Sequence, residues 1–187
     1  MRLQSSAKKS NPDTKTPGVD SDSALSTTSA TESSLLPLLS LDRTCAKVSC
    51  TSRKRALEHA CEVLAGSNDL NARSVLDALL AREKLGSTAL GEGVAIPHCR
   101  LAGCEAPLGV LLTLDEPVDY AAPDDTNVDL LFVLVVPESA DDQHLQLLSQ
   151  LASILIEADH RATLRQAQDH LTLFESMQKL VTPADSS

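Results

Sequence analysis

Large apolar residues are sparse over the first 34 positions and recur in regular patterns from Leu35 onward. "LLPLLS" predicts a short helical turn, and "CAKVSC" alternates as a strand does. Ser52 is placed to cap a helix through "RKRALEHACEVLAG", ended by Gly66, and Asn71 to cap "ARSVLDALLAREKL", ended by Gly86. Val75, Leu76, Leu79 and Leu80 of the second helix share one face. "STAL" and "GVAI" read as short strands and "PLGVLLTLD" as a longer one. "VDLLFVLVVP" is apolar without a break after Asp129, the pattern of a central strand covered on both faces. "DDQHLQLLSQLASILIEA" has helical periodicity, and two shorter helices are expected near 159–167 and 171–180. Helices interleaved with strands predict an α/β fold, a mixed and partly parallel β-sheet flanked by helices.

Residues 1–34 hold 14 Ser and Thr and few large apolar side chains. Such a segment cannot bury enough surface to offset its ordering entropy, so a disordered extension is expected there. One domain is expected over 35–181 and a short flexible tail over 182–187. At 42% hydrophobic the chain can build a real core, but with aromatics at 2% that core must be aliphatic.

The net charge of −10 disfavours a nucleic-acid partner, because phosphate neutralisation needs clustered Lys and Arg. The first 34 residues carry four basic and four acidic groups, so the whole excess of negative charge belongs to the rest of the chain. No apolar run follows Met1 and none approaches a membrane span, so neither a signal peptide nor membrane insertion is expected. Five cysteines without regular spacing fit a reduced, cytoplasmic protein that uses them as small apolar packers.

Candidate chemistry gathers around "GSTALGEGVAIPHCR". The stretch opens like a phosphate-binding loop, but Glu92 and Gly93 stand where Lys and a hydroxyl residue are required, and a carboxylate there repels phosphate. His98, Cys99 and Cys104 have zinc-ligand chemistry but no Cys-x-x-Cys pair and no fourth ligand, and adjacent His98 and Cys99 point to opposite faces of a strand. No metal and no cofactor is expected. The same opposition argues against a Cys99–His98 dyad. What remains is His98 as a phosphoryl acceptor, since a neutral imidazole nitrogen is a good nucleophile near neutral pH. Arg82 offers a planar fork suited to phosphate oxygens. His144, with Leu147, Leu148 and Leu151 on its side of a helix, sits at that helix's inner edge. Spacing alone leaves the ordinary alternatives open: a strand-end histidine, a cation at a helix C-terminus and a first-turn residue without a task.

The stretch "AREKLGSTALGEGVAIPH" closely resembles the signature of the IIA proteins and domains of the phosphoenolpyruvate-dependent phosphotransferase system, fructose/mannitol type, and within them the nitrogen-regulatory branch. "CAKVSCTSRKRALEHACEVLA", "VDLLFVLVVP" and "HLQLLSQLASIL" resemble family segments too, so the likeness spans about Leu35 to Leu180. The resemblance implies a phosphohistidine carrier rather than a turnover enzyme. His98 would accept a phosphoryl group from a small HPr-like carrier, with Arg82 and His144 beside it and Ser87 and Thr88 as candidate neighbours. It implies regulatory partners such as potassium-transport or sensor-kinase proteins. The alternatives it leaves are a sugar-specific component that passes phosphate to a permease B domain, and a binding module of the same fold without transfer. The chain departs from the family pattern after the histidine, where Cys99 and Arg100 replace the usual Gly and Lys.

Overall fold

The computed structural model describes residues 35–140 and 142–182. The extension expected over 1–34, and all but the first residue of the expected tail, lie outside them. Leu36–Leu38 and Leu41–Arg43 form two 3-10 turns that lead into strand β1 (Thr44–Val48). Helices α1 (Arg53–Ser67) and α2 (Ala72–Glu83) follow. Ser52 and Asn71 cap them as expected, their side chains accepting from the backbone N–H of Arg55 and Ser74. Their ends differ from the glycine stops. Gly66 lies inside α1, and the chain leaves the helix at Asn68, whose amide donates to the Leu64 carbonyl at 3.1 Å and so satisfies a last-turn acceptor. α2 ends at Glu83, and Gly86 only closes the following turn through its N–H to the Glu83 carbonyl at 3.2 Å.

Short strands β2 (Ala89–Gly91), β3 (Val94–Ala95) and β4 (His98–Leu101) precede two long ones, β5 (Leu108–Val118) and β6 (Val128–Pro137). The unbroken apolar run is indeed the central strand. β6 pairs antiparallel with β5 on one side and parallel with both β3 and β4 on the other. β1 extends the sheet in parallel beyond β5, and β2 folds back antiparallel on β3. The sheet is therefore mixed, as expected. Helices α3 (Asp142–Leu155), α4 (Ala158–Gln166) and α5 (His170–Val181) complete the chain.

Alternate residues of β5 and β6 feed two separate cores. Val110, Leu112, Leu131, Val133 and Val135 pack with α1 and α2, whereas Leu111, Leu130, Phe132, Leu134 and Val136 pack with α3, α4 and α5. Each fully buried leucine contributes roughly 1.5–3 kcal/mol by leaving water, which is how so aliphatic a chain holds a layered fold. No helix among the described residues is long and apolar enough to cross a membrane.

The site is placed by the junction of β3 and β4. Val94 pairs with Leu130 and His98 with Leu134, so the register along β6 is the same before and after the break. The two strands are one rail interrupted where Pro97 lacks an N–H to give. Its carbonyl still accepts from Leu134 N at 2.8 Å.

Candidate functional site

Two residues with positive φ, Glu92 (53°) and Gly93 (77°), turn β2 into β3. This primed turn follows the right-handed twist of paired strands. Gly93 is required for a second reason. A Cβ there would stand 2.5 Å from Arg165 Nη2 and 3.0 Å from Asp129 Oδ1, so the side chains of α4 and β6 clasp the turn directly. Arg165 donates to both Asp129 oxygens and, at 2.7 Å, to the Glu92 carbonyl. Asp124 accepts from Glu92 N at 2.7 Å on the other flank. The glycines thus serve a pinned hairpin that leads straight into the His98 rail.

At the start of β4, His98 is half-buried and Cys99 is buried on the opposite face, in the α1–α2 core. Burial pushes the Cys99 thiol up to about 12, with Cys61 and Cys104 adding to the shift, so it is an inert packer beside the site. The Cys99 side chain is therefore turned away from the imidazole.

The His98 ring is fixed at both nitrogens. Nδ1 lies 2.8 Å from the Ile96 carbonyl, which can only accept, so the neutral ring carries its proton there. Nε2 keeps its lone pair and accepts from Arg82 Nε at 3.1 Å. The Arg82 fork is held in turn by Nη1 donating to the Gly86 carbonyl at 3.0 Å. His144 meets the ring from the other layer, its centroid 5.2 Å away and its plane at 88°. The structure thus brings Arg82, His98 and His144 together from α2, β4 and α3.

Electrostatics favour neutral imidazoles. Burial holds His98 below its ordinary value, opposed by the Ile96 hydrogen bond and the Glu83 charge and assisted by Arg82. Burial also lowers His144, followed by His98, Arg100 and Arg82. A neutral Nε2 beside a fixed guanidinium is a nucleophile with an anion-holding fork already at hand.

Ser87 and Thr88 are not aimed at His98. The Ser87 hydroxyl donates to the Tyr120 carbonyl at 2.8 Å, and the Thr88 hydroxyl donates to buried Glu83. His160 and His170, given no role from sequence, are structural: Nδ1 of His160 meets the Ile154 carbonyl at 2.9 Å, and Nδ1 of His170 accepts from Ala46 N at 2.9 Å. Among the described residues no group of His, Cys, Asp and Glu could hold a metal ion. Sequence reasoning also passed over Glu83, whose signal was its place four residues after Leu79, on the apolar stripe of α2. The Arg165–Asp129 clasp carried no local signal, since its partners lie 36 positions apart.

Residues 38–179 match the model of the family described as phosphoenolpyruvate-dependent sugar phosphotransferase system, EIIA 2. A nitrogen regulatory protein of Pseudomonas aeruginosa is 49% identical over 125 residues, which cover 66% of this chain and 81% of that protein. The crystal structure of nitrogen regulatory protein IIA-Ntr from Neisseria meningitidis superimposes with a TM-score of 0.72 at 38% identity, covering 78% of this chain and 97% of that one. The IIA mannitol structure from Escherichia coli, at 20% identity and a TM-score of 0.63, covers 77% of this chain and 99% of that one and shares its fold.

Proposed function

The chain belongs to the EIIA type-2 family of the phosphoenolpyruvate-dependent sugar phosphotransferase system, and on that premise we propose that it is a phosphoryl-carrier regulatory protein of the nitrogen branch. His98 accepts a phosphoryl group from a phosphohistidine on an HPr-like carrier protein, and the resulting change of charge governs how other proteins dock. The observation that carries this reading is the pairing at the ring: Nδ1 is occupied by the Ile96 carbonyl, and Nε2 faces Arg82.

The step follows from that geometry. The Nε2 lone pair forms the new P–N bond as the donor's P–N bond breaks and returns its electron pair to the donor nitrogen. Arg82 releases Nε2 and takes the phosphoryl oxygens, a bidentate match its fork is built for. The Nδ1 proton stays on the ring and offsets part of the incoming negative charge. One phosphohistidine is exchanged for another, so the protein's task is positioning. The surroundings suit a protein donor. Leu85 (84% exposed), just past the end of α2, and Leu145 (67% exposed), beside His144, are large apolar groups left uncovered. Regulatory partners such as potassium-transport or sensor-kinase proteins, in the cytoplasm, belong to the same proposal.

The test supplies phosphoenolpyruvate, the first enzyme of the relay and its HPr-like carrier, and looks for acid-labile, alkali-stable label. Wild type takes the label and His98→Ala does not; equal labelling of the two sinks the site assignment. Label passed on to a sugar-permease B domain would replace the regulatory reading with a transport one.

A further inference from the structure

The motif that supplies Arg82 also supplies a carboxylate that the proposed transfer does not use. Glu83 follows Arg82 in the last turn of α2, yet its side chain runs into the protein, where 3% of it stays exposed. The Thr88 hydroxyl of β2's approach donates to Oε1. The Arg53 guanidinium, from the first turn of α1, stands 3.7 Å from Oε2 and lies over the Tyr120 ring at 5.4 Å. Oε2 is buried with no hydrogen-bond partner among the described residues. Packed apolar side chains of similar volume often fill a buried place at no greater cost than an ion pair. A carboxylate kept there acts through its charge or its grip.

We propose that Glu83 is a positioning residue: clasped by Arg53 and Thr88, it fixes the last turn of α2 so that Arg82 is aimed at His98 Nε2, and its carboxylate, on the residue next to Arg82, acts on the acceptor ring by its charge. The directions agree. Arg82 points out to the imidazole while its neighbour ties the same turn inward to the strand that follows. The hydroxyl pair of the motif has the same job, since Ser87 holds the Tyr120 carbonyl and Thr88 holds Glu83. The groups around Glu83 are Arg53 from α1, Thr88 and Tyr120. Those around His98 are Arg82 and Glu83 from α2 and His144 from α3, with Arg100 of β4 acting on His144. Glu83 alone among these charges favours the protonated ring at His98.

The inference rests on His98 as the acceptor, but its first measurement needs no donor. The His98 ring is titrated by NMR in the full chain, wild type against Glu83→Gln, and labelling is then followed against pH. Glu83→Gln should lower the His98 midpoint, move the acidic limb of labelling to lower pH, and cut the plateau rate about tenfold, the scale of one lost well-aimed contact. A folded Glu83→Gln with an unmoved midpoint overturns the charge; a purely structural role would lower the plateau without moving the limb. Thr88→Val keeps the carboxylate and removes its hydroxyl partner, so it should slow labelling, and Thr88→Ser should restore it. Equal rates for the two overturn the grip, and this pair decides that part if Glu83→Gln does not fold. A wild type that titrates as described yet takes no label counts against the proposed function and leaves the midpoint comparison standing.

Discussion

Arg82 leaves the last turn of α2 and His144 the first turns of α3, so the two side chains flanking His98 come from layers on opposite faces of the sheet. They are not held alike. Arg82 donates to His98 and to the Gly86 carbonyl, and its turn is tied down by buried Glu83. His144 meets the ring edge to face, and its Nδ1 is buried with no hydrogen-bond partner among the described residues. Pre-organisation is concentrated on one arm, the one whose charge is permanent. Its guanidinium already stands at Nε2, where the proposed transfer would use it, while His144 packs against the other side of the ring.

Removing each arm in turn breaks the comparison most sharply. Arg82→Ala should slow labelling about 100-fold, the order seen when a fixed anion-holding donor is lost; an unchanged rate would take Arg82 out of the site. His144→Gln, which keeps a polar side chain, should cost only about tenfold, near 1.4 kcal/mol. If its loss equals that of Arg82, the two arms are equivalent and the contrast is wrong.

Acidification separates the arms more gently. His98 and His144 are held below the ordinary value of 6.5, so the unfolded chain binds protons that the folded chain resists. Their contribution to stability is whole above pH 6.5 and is lost as the pH falls through the lower folded values. Melting curves from about pH 7.5 to about pH 5 should therefore show a smaller decline for His144→Gln than for wild type. Parallel declines would place the lost stability elsewhere. The smallest expected change is Asn71→Ala, which removes the cap of the helix that carries Arg82. It should cost about 1 kcal/mol and lower Tm by about 2–4 °C while leaving labelling near wild type, because the end of α2 is held from the other side.

Local signals made most of the fold legible before the structure. β6 announced itself by an unbroken apolar run, and Ser52 and Asn71 by hydroxyl and amide groups ahead of helical periodicity. The motif and the resemblance it carries singled out His98, Arg82 and His144 as candidates, and the structure brings these three side chains together. What escaped depended on distant partners or on direction. Nothing near Asp129 points to Arg165, and the outward turn of Arg82 against the inward turn of Glu83 depends on where α2 meets the sheet. Gly66 misled because a side-chain amide at Asn68 ended the helix in its place.

The rail that crosses Pro97 has a consequence for signalling. His98 shares one register with the central strand, so its backbone has no loop in which to move when the ring is modified. Under the proposed function, phosphorylation writes charge on a stationary surface, as a stamp does rather than a lever. Partners that read it would sense an altered electric field over an unaltered shape, and their discrimination should fade with rising ionic strength.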